Sequence, residues 1–278
     1  MDGFTGRSHS GDPWSIDEIR FQDLDHDEIH DDRQLLYMLA AASFIEITSD
    51  LYTGNLVAFY RGDDEITAWL SQQWEPEELQ HGTALKRYVE AAWPEFDWSA
   101  GYRGFYAEYS RSCAVDLLAA TQALELAARC VVETGTATFY RALSEMTAEP
   151  VLKQITANIS LDEVRHYKYF YRFFLRYQAG EGTSRRAVLR TLWQRTTAVD
   201  VEDAFLAFKH VFLAANPGAE FQLGEYEAFR ARIRKLAKRH YPYDMAVRML
   251  LKPLALSAPI VRVIVPPIIS AARFLLLR

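Results

Sequence analysis

Two histidines in this chain, His81 and His166, each follow a glutamate by three residues: Glu78-Leu79-Gln80-His81 and Glu163-Val164-Arg165-His166. No other histidine has that spacing. Residues i and i+3 share one helix face, so each pair offers a carboxylate and an imidazole side by side. Each motif also has an upstream glutamate: Glu46 lies 32 residues before Glu78, and Glu133 lies 30 residues before Glu163. These are oxygen and nitrogen donors. With only Cys113 and Cys130 as thiols, a sulfur-ligated zinc site is excluded and any metal site must be built from carboxylate and imidazole.

Such donors work together only if the intervening chain returns them to one place. A helix is predicted from Asp32 to Gly62 and a second from Asp64 to the Trp93-Pro94 pair, with Asp as N-cap and Gly at the C-terminal end. The 16 residues from Glu46 to Gly62 span about 24 Å, and the 14 from Asp64 to Glu78 about 21 Å. A third helix is predicted over about 112–149 and a fourth from Pro150, a favoured first position, to Gly180. From Glu133 to Glu149 is about 24 Å and from Pro150 to Glu163 about 20 Å. Both hairpins therefore carry their ligands at one level. Packed together, they converge four glutamates and two histidines inside a bundle. A bundle interior is otherwise apolar, because an unpaired buried carboxylate costs several kcal/mol. One Glu from each of two helices plus a Glu-x-x-His from each of the other two is the di-iron or di-manganese carboxylate arrangement. The predicted metal ligands are thus Glu46, Glu78, His81, Glu133, Glu163 and His166, holding two iron ions, with manganese as the alternative. Glu77 and Asp162 directly precede the motif glutamates. Metal-bound histidines donate their second ring N–H to a carboxylate or carbonyl, so each is expected to support the histidine of the opposite motif.

The rest of the chain fits an all-α protein: a ferritin-like four-helix bundle with additional C-terminal helices. No period-2 alternation and no Asn-Gly or Asp-Gly hairpin signal is seen. Three regions are expected: an acidic segment over 1–32, the di-metal bundle over 33–180, and a helical extension over 181–278 with a basic, apolar tail. Residues 94–111 read as a loop with a short helix, and 180–184 as a linker. Shorter helices are expected near 185–198, 201–215, 224–239 and 243–252. The chain has 278 residues, of which 50% are hydrophobic and 24% charged, which excludes intrinsic disorder. The start lacks an apolar core for a signal peptide, so a cytoplasmic location is expected. The net charge of −6 is unevenly spread: residues 1–35 hold ten acids against three arginines, and 228–278 hold eleven Lys or Arg against one acid. That basic end suits an anionic membrane, a nucleic acid or an acidic carrier protein, or simply matches the acidic head. Arg262 and Pro259, Pro266 and Pro267 interrupt 253–278, which suits peripheral membrane contact, a lid, a dimer arm or a packed terminal helix better than a span.

The stretches "EELQHG" and "DEVRHY", the run from Glu133 to His166 with its Glu-Pro turn, and the approach "WLSQQWEPEELQH" resemble the soluble acyl-carrier-protein desaturases and their mycobacterial relatives. The resemblance covers about residues 35–178. It departs at Gln80, where that family has Arg. Laid ungapped on a desaturase helix, 48–60 would put Gly54 or Asn55 at the first ligand position. The helical depths favour Glu46, with Asp50, one turn on, in reserve. The resemblance implies a role for Thr136 facing the oxygen pocket as a proton relay. The alternative is a helix-interior threonine bonded to its own backbone.

The function expected from these readings is an oxygen-dependent di-iron oxidoreductase acting on an unactivated C–H bond, foremost desaturation of a fatty acyl thioester. The alternatives are a di-iron hydroxylase or N-oxygenase of a small molecule, a non-catalytic ferritin-like metal-binding protein, and a membrane-associated protein with a vestigial bundle. The expected partners are an external electron donor such as a ferredoxin, possible acyl carrier protein, a second copy in a homodimer, and no nucleic acid. His26 and His30 read as part of a solvated acidic run, Tyr167, Phe170 and Phe174 as core, the two cysteines as buried thiols, and His210 and His240 as lacking partner spacing.

Overall fold

The computed structural model describes residues 14–29, 31–111, 118–198 and 203–277, and every regular element among them is helical. Asp2, Asp12, His30, Cys113 and the expected helix starts at 112 and 201 lie outside the described residues. A short helix α1 (His26–Ile29) precedes α2 (Arg33–Ile47), α3 (Ser49–Phe59), α4 (Asp64–Trp69) and α5 (Glu75–Ala92). Then come α6 (Trp98–Tyr109), the long pair α7 (Gln122–Met146) and α8 (Pro150–Glu181), α9 (Arg185–Ala198), α10 (Asp203–Ala215), α11 (Leu223–His240), α12 (Tyr243–Leu251) and α13 (Ala258–Leu277).

The starts follow from caps. Asp32 accepts from Gln34 and Leu35 N–H, both at 3.0 Å, and Asp97 accepts from Ala100 N–H at 2.8 Å. Glu149 accepts from Val151 and Leu152 N–H at 3.1 and 2.6 Å, each satisfying donors that a helix start leaves orphaned. Glu149 therefore closes the turn instead of ending α7, which stops at Met146. At its far end α8 stops at Gly182, whose φ of +65° is the left-handed cap a glycine supplies without strain.

Two expected continuous helices are interrupted, one close after Glu46 and one close before Glu78. The first breaks at Thr48, whose hydroxyl bonds back to Phe44 O at 3.1 Å and Ile45 O at 2.8 Å; this is the competition with the backbone that makes threonine a poor helix-interior residue. The second widens into a π-turn over Leu70–Trp74. Pro76 follows two residues after Trp74; its ring excludes the carbonyl four residues back and it has no N–H to donate, so a wider turn relieves the clash.

α7 packs along α8 and α2 along α5, with α5 also touching α8; α10 lies across α2 and α6. Two apolar clusters result. One holds Leu36, Leu39, Phe44, Leu85, Tyr88, Tyr140, Leu152, Ile155, Ile159 and Phe208. The other holds Leu56, Trp69, Leu70, Trp74, Leu126, Cys130, Tyr167, Phe170 and Phe174. On α7 and α8 the buried members of the two clusters stop on either side of a band at 133–138 and 160–166; along α2–α3 and α4–α5 they part around 46–49 and 78–81. The buried polar side chains concentrate in that band. The stretch Arg33–Phe59 is long and apolar enough to cross a membrane by composition alone, yet 67% of its 18-residue apolar window is buried inside the protein, and it delivers Glu46 to this layer.

Candidate metal centre

α2 brings Glu46 into the polar layer, α5 brings Glu78 and His81, α7 brings Glu133, and α8 brings Glu163 and His166; all six are buried. Ligand atoms of Glu46, Glu78, His81 and Glu163 all lie within 4.8 Å of one another, and so do those of Glu78, Glu133, Glu163 and His166. Each group could hold a metal ion. They share Glu78 and Glu163, so the layer is two adjoining donor sets with two carboxylates in common. Asp50 stands outside both: it is exposed and accepts from Leu51 N–H at 2.9 Å. Gly54 is exposed as well.

α5 comes this close to α2 because residue 82 is glycine. A Cβ there would meet Ile47 Cγ1 at 2.5 Å, Ile47 N at 2.7 Å and Glu46 Cβ at 3.0 Å. The glycine after His81 thus sets the spacing between the helices that carry Glu46 and Glu78.

Each ring is held from the far side. His81 Nε2 lies 3.0 Å from Asp162 Oδ2, and His166 Nε2 lies 2.7 Å from Glu77 Oε2. A carboxylate only accepts, so the proton sits on Nε2 and Nδ1 turns to the cluster. His81 Nδ1 is 3.4 Å from Glu163 Oε1, and His166 Nδ1 is 3.0 Å from Glu78 Oε1. Arg165 pairs with both bracing carboxylates, at 3.1 Å to Glu77 and 2.8 Å to Asp162. Trp14 Nε1 donates to Asp162 Oδ2 at 2.8 Å, with its ring plane parallel to His81. Gln80 Nε2 in turn donates to the Trp14 carbonyl at 3.0 Å. Trp69 and Trp74 meet His166 edge-on, closing it off from water.

The donor atoms fit a cation. His81 Nδ1, His166 Nδ1, Glu133 Oε2 and Glu163 Oε1 are buried without a hydrogen-bond partner. Each such atom costs about 1–3 kcal/mol if nothing satisfies it, and four of them converge on one layer. The electrostatics agree. Burial, reinforced by the Glu163 charge, pushes Glu46 and Glu78 up and Glu133 to about 8. Burial would lower the His81 pKa, but Asp162 and Glu163 hold it up to about 10. Burial would raise Glu163, but both histidines hold it below the usual carboxylate range. The cluster favours positive charge at its centre.

Thr136 Oγ1 lies 3.3 Å from both Val132 O and Glu133 O, and 2.9 Å from Glu163 Oε2. The i−4 backbone bond of a helix-interior threonine is present, and the shortest contact is to the Glu163 carboxylate. Tyr140, Trp14, Arg165 and Gly82 escaped the sequence reading. Arg165 and Gly82 sit inside or beside the motifs, and Tyr140 is two turns after Glu133 on the same face, so a signal existed for these three. Trp14 had none, since it reaches the site across 148 residues of sequence.

The remaining candidates fall elsewhere. His26 is exposed, Tyr167, Phe170 and Phe174 are core, and Cys130 is a buried free thiol. His210 does have a partner, Glu108 Oε2 at 2.8 Å. No family model, no curated protein and no solved structure matches this chain.

Proposed function

We propose that the chain is a ferritin-like four-helix bundle with a dinuclear iron centre, and that it works as an oxygen-dependent oxidoreductase that desaturates a fatty acyl thioester. The observation that carries this reading is the sharing of Glu78 and Glu163 between two buried donor sets. Carboxylates common to two donor sets would serve two cations at once, and such a pair would supply two-electron chemistry. When bound, two iron ions supply the dioxygen activation and oxidising power that no side chain offers.

The chain's own residues do the rest. Glu46 and His81 would hold one ion, Glu133 and His166 the other, and Glu78 and Glu163 both. Asp162 and Glu77 fix the two rings. Thr136 presents its hydroxyl proton to Glu163 Oε2, where it is available at the edge of the centre. The aromatic wall of Trp69, Trp74 and Phe170 excludes water beside His166. The net change forms one C=C bond and two waters from two C–H hydrogens, dioxygen, two electrons and two protons. The electrons require an external donor such as a ferredoxin, and an acidic acyl carrier protein is a suitable presenter of the substrate.

The test is turnover by iron-loaded protein with a reductant, dioxygen and a panel of acyl thioesters. A product lighter by two hydrogens, absent with Glu163→Ala, is the expected result. A product heavier by one oxygen would make the protein a hydroxylase instead, and no reductant-dependent oxygen consumption with any substrate would overturn the enzymatic reading.

A further inference from the structure

Two helices that contribute no donor to the buried polar layer combine apolar exposure with arginine and contain no acid. In α9, Val188 and Leu192 are buried against the protein, and the opposite face carries Leu189, 54% exposed, and Trp193, 70% exposed. Arg186 and Arg190 stand on that same outer face, also exposed. In α13, Val265 is buried against the packing side toward α11 and α12. Ile260, Val263 and Pro267 recur at i, i+3 and i+7 on the other side; Val263 is 73% exposed. Arg262 lies exposed beside them. An amphipathic helix of a water-soluble surface turns polar residues outward; these two turn hydrocarbon and arginine outward. Residues 245–278 hold five Lys or Arg and no acid. The helices are neighbours at one end: Arg185 Nη2 donates to Ala255 O at 3.2 Å, in the turn that leads into α13.

We infer that the outer faces of α9 and α13 form a docking surface for an anionic lipid bilayer. A flat interface accepts the exposed apolar side chains Ile260, Val263, Ile268 and Phe274, spread over about 21 Å of α13. Val263, Ile260 and Leu189 enter the acyl boundary, Trp193 sits at headgroup level, and Arg186, Arg190 and Arg262 meet the phosphates. An acidic protein would pair with the arginines but would have to supply a matching apolar groove for two separate helices; a bilayer supplies both at once. The helix lies on the membrane and does not cross it, because Arg262 sits within its first half and one face is committed to α11 and α12. The inference is independent of the metal centre.

The experiment is vesicle flotation of the full-length protein on phosphatidylcholine alone and on phosphatidylcholine mixed with phosphatidylglycerol. Two doubly substituted variants, Trp193→Glu with Val263→Glu and Arg190→Gln with Arg262→Gln, are run beside it. All four positions are exposed, and unchanged helical circular dichroism and melting confirm folding. The expected result is salt-sensitive binding to the anionic vesicles only, weakened about tenfold or more by either double substitution. Failure of the wild-type protein to float with anionic vesicles overturns the inference, as does binding that neither pair of substitutions weakens. A wild-type dimer that the Glu variant converts to monomer, with no vesicle binding, would also overturn it and make the occupant a second copy of the chain.

Discussion

The phenol of Tyr140 donates a 2.5 Å hydrogen bond to Glu46 Oε1. α7 thus supplies one candidate ligand, Glu133, and two turns later the clamp on a candidate ligand carried by α2. Burial, together with the Glu46 charge, pushes the Tyr140 phenol well up, so it remains a donor. Tyr140→Phe is expected to leave Glu46 free to swing and to weaken iron binding about tenfold, the usual effect of losing a group that orients a ligand. Competition with a chromophoric chelator measures it; an unchanged affinity would remove Tyr140 from the site.

The crossed braces give a sharper prediction. Asp162→Asn and Glu77→Gln keep the shape but lose the charge that fixes each Nε2–H. Each is expected to lower metal affinity about 10–100-fold while the melting temperature of metal-free protein changes little. The same chelator competition reads this, with Arg165→Gln, which touches both carboxylates, giving a smaller loss in each set.

Gly82 is predicted to be irreplaceable for a steric reason. Gly82→Ala puts a methyl 2.5 Å from Ile47 Cγ1 and 2.7 Å from its backbone nitrogen. The side chain of Ile47 can move, but the backbone contact forces α5 away from α2. A loss of about 1–3 kcal/mol in chemical denaturation is expected, together with lower iron occupancy of the set containing Glu46.

Away from the metal, α6 and α10 are tied by Glu108, which hydrogen-bonds Lys209 at 2.8 Å and His210 at 2.8 Å. Lys209 and His210 together hold its carboxyl below the ordinary value of 4.5. A carboxyl lowered on folding contributes stability that is full above its unfolded pKa and is lost as pH falls through its folded one. The Tm difference between wild type and Glu108→Gln should therefore be largest above pH 4.5 and vanish in stronger acid. At this half-exposed pair it should be worth less than about 1 kcal/mol.

The convergence of the six donor side chains was legible in the sequence because helical rise is constant: equal distances from a turn put Glu46 level with Glu78, and Glu133 level with Glu163. The contacts of Glu77 with His166 and Asp162 with His81 were also legible, since each carboxylate sits one residue from a motif and a buried imidazole N–H requires an acceptor. The interruptions were not. The Thr48 break and the π-turn before Pro76 arise from side-chain competition and a missing N–H, which hydrophobic spacing does not report. Contacts such as Trp14 with Asp162 depend on where an N-terminal segment crosses the bundle, and that is set by tertiary packing alone.

The most direct test of the dinuclear centre is metal analysis with Mössbauer spectroscopy on anaerobically iron-loaded protein, before and after dioxygen, beside Glu163→Ala. The predicted result is two irons per chain that become magnetically coupled on oxidation, with the coupling lost in the variant because a shared carboxylate is gone. At most one iron per chain, uncoupled and indifferent to Glu163, would contradict it.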